Sequence, residues 1–231
     1  MFRFRSNKLE RIDTGDYSPD EYRRFLREIA FINRYVGDRK ALKNTLFRDI
    51  DHNDPKEFSV LDVGSGSGEL LRTVAEYADK SGRRVSLTGI DLNPISASTT
   101  RSMSSDHPSI ASVRGDAFAL PFDDAAFEYA ISSLFFHHLT DAEIPFVLRE
   151  MRRVSRLGVF IIDLHRHPVA YAGYKLFCAA FGISRLVRHD GSLSVLRGFK
   201  ASELQELGGS ENGRIAVVTR HFPYRLGVRP S

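Results

Sequence analysis

The stretch VLDVGSGSGEL, residues 60–70, sets three glycines at every second position behind an apolar run that ends in an acid. Such a run reads as a buried strand, and the glycines after it mark a sharp turn into a helix, expected over Ser67–Lys80. Gly64 and Gly66 permit the turn and a close approach of ligand to backbone, and Gly68 lets the helix pack tightly on the strand. The helix then directs its N–H groups and positive end at that ligand.

Spacing narrows the ligand. The dinucleotide fingerprint is G-x-G-x-x-G, whereas this chain has G-x-G-x-G, with its third glycine one position early. Asp62 lies two residues before the first glycine, where a strand-end acid holds a cationic amino group. A pyrophosphate cofactor has no such group. The next strand, RVSLTGID at 84–91, ends in Asp91, placed to accept hydrogen bonds from two ribose hydroxyls; taken alone, the same acid merely terminates a strand.

Outward from this turn, strand and helix alternate. FSVLDV, RVSLTGID, IASVRGD, FEYAISSL and LGVFIIDL are strands, with helices at Pro94–Ser104 and Asp141–Arg156 between them. This alternation predicts an α/β fold, a parallel sheet covered by helices on both faces, with the ligand beyond the carboxyl ends of the strands. GRIAVVTRHFPYRLGV, 213–228, reads as a final strand pair, its last strand antiparallel and inserted beside the fifth. Residues 1–57 form a helical cap: Ser18, Pro19 and Glu21 make a capping box for a helix over Pro19–Tyr35 with an apolar face reaching Val36, and a second helix covers Arg39–Asp51. PVAYAGYKLFCAAFGI, 168–183, is either a lid over an apolar or aromatic acceptor or a core helix, and RHDGSLSVLRGFKASELQEL continues as a turn and a short helix.

Composition removes several function classes. The 231 residues suffice for one well-buried domain with a small addition. One cysteine, Cys178, excludes an internal disulfide and fits a reducing compartment. MFRFRSNKLER is followed by no apolar stretch of a secretory signal, and no uncharged run is long enough for a membrane span, so a cytoplasmic location is expected. Of the net charge of +4, the excess is C-terminal, with ten lysines and arginines against four acids in residues 164–231. These are dispersed, unlike a nucleic-acid track, and read as a solvated surface or as the approach for an anionic substrate.

Five blocks in one order carry a family resemblance: VLDVGSGSG at 60–68, GIDLNP at 89–94, GDAFALPFDDAAFEYAISS at 115–133, FFHHL at 135–139 and LGVFIIDLHRH at 157–167. Over residues 58–165 the chain resembles the class I S-adenosylmethionine-dependent methyltransferases, and the leader resembles the helical caps of small bacterial members. The resemblance implies a Rossmann-like, doubly wound, seven-stranded sheet in three α/β/α layers, mostly parallel with an antiparallel last strand. It implies domain limits of 1–57 for the cap and 58–231 for the methyltransferase domain, with a lid insertion at 166–199. It implies S-adenosyl-L-methionine as cofactor, with Asp62, Gly64, Ser65, Gly66 and Gly68 around the methionine end, Asp91 on the ribose, and Asp116 on the adenine amino group. Ala117 would offer its N–H to the ring, Leu92 would pack on the adenine face, and Ser132 would sit near the sulfonium. Read without the family, Asp116 in RGDAFALPF is a turn residue.

Methyl transfer is an in-line displacement in which the protein mainly aligns the reactants. A carboxylate acceptor needs no base, whereas a phenol gains from one. His137, His138 and His165, near the carboxyl ends of the fourth and fifth strands, are the candidate bases; each also reads as a loop or turn residue. No metal is expected. The Asn/Asp-Pro-Pro-Tyr/Phe signature of nucleic-acid amino-methyltransferases is replaced by SSLFFHH, so no nucleic acid is expected as partner. The expected acceptor is an apolar or anionic small molecule methylated on oxygen or carbon, and oligomeric state is left open. Two alternatives stand: a binding module without chemistry, and a short-chain dehydrogenase suggested by the Tyr171-x-x-x-Lys175 pair.

Overall fold

In the computed structural model, β1 (Glu57–Val63) pairs in parallel with β2 (Arg84–Asp91) on one side and β4 (Phe127–Ser133) on the other. The glycine turn therefore leaves the sheet at its centre, where the strand order reverses. The structure describes residues 1–33, 35, 37–207, 210–211, 214–215 and 217–229. With β3 (Ile110–Arg114), β5 (Ser155–Leu164), β8 (Val217–His221) and β9 (Arg225–Arg229), the seven-stranded sheet has the order β3-β2-β1-β4-β5-β9-β8. Only β9 opposes the common direction; it is antiparallel to both β5 and β8. The inserted last strand is as expected from the sequence. Two-residue strands β6 (Ser210–Glu211) and β7 (Arg214–Ile215) form a separate small ladder.

Alternation along β1 divides the core. Phe58 and Val60 face one layer while Leu61 and Val63 face the other, as the pleat requires. The first layer holds α5 (Glu69–Ser81) together with a helical run made of α3 (Asp38–Leu42), a π-turn at Lys43–Phe47 and α4 (Arg48–Asn53). Leu42, Leu46 and Ile50 of that run are fully buried against the sheet. The second layer holds α7 (Ile144–Val154), through Val147, Leu148 and Met151, and α10 (Ala201–Leu207), through Leu204. Strand β2 leads into α6 (Pro94–Met103), which Asn93 caps by accepting a hydrogen bond from the Ile95 amide at 2.9 Å.

A third apolar cluster lies beyond the strand ends. There α2 (Pro19–Asn33) packs on α8 (Pro168–Ala180) and α9 (Arg185–Arg197) through Tyr22, Phe25, Leu26, Cys178 and Leu186. The capping box of α2 is formed, with the Ser18 amide donating to Glu21 Oε2 at 2.9 Å and the Glu21 amide to Ser18 Oγ at 3.2 Å. The short α1 (Arg11–Thr14) precedes it. Val36, and residues 213 and 216 of the final strand pair, lie outside the described residues.

Two local expectations change. Asp190-Gly191 lies inside α9 instead of forming a turn. The Arg11 and Ile12 amides each donate to the Asp190 carboxylate at 3.1 Å, and a Cβ on Gly191 would come within 2.0 Å of Tyr174 Oη. Long-range contacts thus override local turn chemistry. The helix expected over Asp141–Arg156 begins at Ile144, because the Thr140 amide and hydroxyl first close a turn on Glu143 Oε2.

Candidate active site

A cavity of about 1120 Å³ opens beyond the carboxyl ends of β1, β2 and β4, roofed by α2 and α8. Of the residues singled out in the sequence, Asp62, Gly64, Ser65, Gly66, Asp91, Leu92, Asp116, Ala117, His137 and His138 line it. Gly68, Ser132 and His165 do not.

The glycine turn is a left-handed piece of backbone held from two sides. Gly64 has φ +75°, and a Cβ there would stand 2.8 Å from Phe135 Cγ. The Gly64 and Ser65 amides both donate to Ile90 O, and the Gly66 amide donates to Asp91 Oδ2 at 2.9 Å. The turn's amides therefore tie β1 to the end of β2 in place of pointing at the cavity. Gly68 caps α5, and its missing Cβ makes room for Thr100 Cγ2 of α6, which would be 2.6 Å away, so its close neighbour is a helix and not the strand.

Asp62 is 2% exposed, and no described residue hydrogen-bonds its carboxylate. Burial, reinforced by the negative charge of Asp91, pushes its pKa up to about 7. An acid in this state calls for a cation. Asp91 is also raised by burial, although the Asn93 and Gly66 amides that it accepts pull the other way. Asp116 is exposed at the rim; its Oδ1 accepts the Phe118 amide at 2.9 Å, so the turn role and the rim position coexist. Leu92 is 65% exposed. Buried Ser65 Oγ, Ser133 Oγ and Glu10 Oε1 line the cavity with no hydrogen-bond partner among the described residues. Orphaned polar atoms of this kind are costly unless a ligand completes them. Ser132, in contrast, is fully buried and donates to Val63 O at 2.7 Å, stitching β4 to β1.

The far end of the cavity is built by ionic side chains. His137 is buried in the 3-10 turn after β4, with Nδ1 2.8 Å from Asp163 Oδ1 and its amide donating to Asp163 Oδ2. A carboxylate only accepts, so Nδ1 carries the proton toward Asp163. Burial would raise Asp163, but the charge and hydrogen bond of His137 more than offset it and hold the carboxyl low. His138 packs on His137 with ring centroids 4.2 Å apart and planes tilted by 36°, and it places Nδ1 2.7 Å from Asp13 Oδ1. Burial works against ionised Asp13 as well; His138 and Arg197 prevail and keep its carboxyl below the ordinary range. Arg197 ties these pieces together, pairing with Asp13 and donating to the carbonyls of His137 and His138. Glu10, 1% exposed, accepts from Ser194 Oγ at 2.8 Å, and burial pushes its pKa up to about 7.

His165 stands apart, half-buried against His167 and Tyr224, with its pKa lowered by burial and by His167. Tyr171 and Lys175 line a different hollow, where Lys175 Nζ sits 5.4 Å from the Tyr171 ring centroid. Sequence reasoning passed over Glu10, Asp13, Asp163 and Arg197. Only Asp163 carried a readable signal, as an acid closing an apolar strand; the others come from segments remote in the chain.

Residues 60–158 match the family model described as a methyltransferase domain. Over that span, less than half of its length, the chain is similar to methyltransferase domains. A demethylmenaquinone methyltransferase from Roseiflexus castenholzii is 36% identical to this chain over 126 residues, 51% of this chain and 48% of the relative. One from Bacillus licheniformis is 28% identical over 123 residues, 53% and 51% of the two chains. The chain thus spans about half the length of these curated relatives. In fold it is similar to a SAM-dependent methyltransferase from Aquifex aeolicus, with a TM-score of 0.59 at 16% identity, covering 92% of this chain and 97% of that one. No helix among the described residues is long and apolar enough to cross a membrane.

Proposed function

We propose that the protein transfers the methyl group of S-adenosylmethionine to an oxygen or carbon of an apolar, aromatic small molecule of the quinone class. The observation that carries this reading is one continuous cavity, with unpaired buried Asp62 at the glycine-turn end and the two carboxylate-held histidines at the other. The cofactor fits the first end. Its ammonium answers the Asp62 charge, its ribose hydroxyls have free lone pairs on Asp91, and its adenine has Leu92, the Ala117 amide and the Asp116 carboxylate at the rim. Ser65 Oγ and the backbone of Gly64 and Gly66 border the methionine end. Gly68 and Ser132 shape the turn and the strand behind it without touching ligand.

Tyr17, Tyr22, Phe25, Leu26, Ile29, Tyr174 and Phe177, from the leader and α8, form the remaining wall. This surface suits an aromatic acceptor, and the quinone methyltransferase names of the relatives support the class. The segments 19–33 and 168–197 act as its cover. For a hydroxyl acceptor, His138 and His137 serve as bases, oriented by Asp13 and Asp163; His165, outside the cavity, is not assigned. The single free thiol, Cys178, supports a cytoplasmic location.

The test is incubation with S-adenosylmethionine and a panel of naphthoquinols, phenols and fatty acids, read by mass spectrometry. A one-methyl mass gain on an aromatic member supports the proposal. Cofactor binding by calorimetry with no methylated product across the panel would reduce the protein to a binding module, and heat with NADH alone would reject the cofactor.

A further inference from the structure

Glu10, His137 and His138 each bring one ligand-capable atom to a common point, all within 4.8 Å of one another. His137 Nε2 and Glu10 Oε1 are 3.8 Å apart. Donor atoms around a tetrahedral zinc lie roughly 3.3 Å apart when each bond is about 2.0–2.1 Å. Side-chain rotations that shorten the separations by roughly 0.5–1.5 Å close the remaining distance.

The surroundings of the three residues have the form of a metal site. Each imidazole is engaged at Nδ1 by a carboxylate, Asp163 for His137 and Asp13 for His138. This is the arrangement that fixes a ligating histidine's tautomer and leaves its other nitrogen with a lone pair. Glu10 has one oxygen held by Ser194, and Oε1 is buried without a hydrogen-bond partner. Arg197 Nη1 lies 3.9 Å from that oxygen and is directed to Asp13 and the Lys8 carbonyl instead. Three carboxyl groups, Glu10, Asp13 and Asp163, stand around the two imidazoles, and the Arg197 guanidinium pairs with Asp13. The donor set of two nitrogens and one carboxylate favours zinc and its first-row neighbours over magnesium or calcium, which take oxygen ligands.

We infer that Glu10, His137 and His138 bind one divalent transition-metal ion of the zinc class, with an open coordination position facing the cavity. All three residues line that cavity, so the open position is available to an oxygen of the acceptor, which the ion would orient and acidify. The coordination stands on this geometry, whereas use of the open position by an acceptor rests on the proposed methyl transfer, and with the ion bound His137 and His138 serve as ligands in place of bases.

The test uses the tag-free full-length chain, stripped with a chelator and titrated with Co(II) as the spectroscopic substitute for Zn(II). A visible absorption band that saturates at one equivalent and is bleached by Zn(II) is expected, and it should vanish in Glu10→Gln and in His138→Ala. Both variants are checked for an unchanged circular dichroism spectrum. Absence of a saturable band in the unmodified chain, or a band and stoichiometry unaltered in the folded Glu10→Gln and His138→Ala variants, overturns the inference. Neither readout involves cofactor or acceptor, so a failure here is distinct from a failure of the methyl-transfer reading.

Discussion

The two ends of the cavity are held by different forces. At the glycine turn, three consecutive amides are fixed by the Ile90 carbonyl and the Asp91 carboxylate, and the backbone at Gly64 has no freedom to admit a side chain. At the histidine end, the positions of His137 and His138 depend on Asp163, Asp13 and Arg197, charged groups that arrive from α1, β5 and α9. The first end is local and made mostly of main chain; the second is long-range and ionic. In the proposed function, the first construction serves the cofactor and the second the acceptor.

Removing one ion should therefore damage the second end most. Arg197→Ala leaves Asp13 and two carbonyls without their donor in a buried site, and a loss of about 3–5 kcal/mol is expected in chemical denaturation. A loss below about 1 kcal/mol would show that the ionic end is not cooperative. Gly64→Ala probes the main-chain end: a left-handed conformation forced on alanine together with displacement of Phe135 should cost about 2–4 kcal/mol and abolish cofactor binding. Full binding by this variant would break the contrast.

Smaller effects sharpen it. Asp91→Ala should weaken S-adenosylmethionine binding by about 1.5–3 kcal/mol in calorimetry, through lost charge-assisted hydrogen bonds. The pH dependence comes last. Asp62 is raised to about 7 in the folded protein, so the folded state binds more protons than the unfolded one between its ordinary range and neutrality. Its contribution to stability accordingly falls as pH rises through that window, and a thermal-melt series from pH 5 to 8 should lose this slope in Asp62→Asn. Cofactor binding runs the other way. If the ammonium meets ionised Asp62, affinity should climb by up to about tenfold per pH unit below pH 7 and then level off; a flat profile would separate Asp62 from the amino group.

The cofactor end was largely legible because its determinants are contiguous. Asp62, Gly64, Gly66 and Asp91 are strand-end and turn residues whose position follows from where a parallel strand stops, and all four line the cavity. Gly68 and Ser132 were legible as special positions but not in their contacts, since Thr100 and the Val63 carbonyl meet them only after helices and strands pack. His137 and His138 stood out by type, while His165, equally conspicuous at a strand end, packs beside the lining residue Tyr224 without lining the cavity itself. The helical run at 38–53 read as part of a cap, yet it buries Leu42, Leu46 and Ile50 on the sheet; periodicity reveals an apolar face and not the surface that will cover it.

The amino-acid order alone determined the alternating sheet, the place of the glycine turn at its centre and the acids that border it, because these depend on period, turn chemistry and spacing over a few residues. Only tertiary structure decided that Glu10 and Asp13 of the leader meet His137 and His138, that Arg197 locks them, and that α2 and α8 close the roof. Those contacts join residues from 59 to 184 positions apart, and no local preference of the chain specifies which buried charges will neutralise one another.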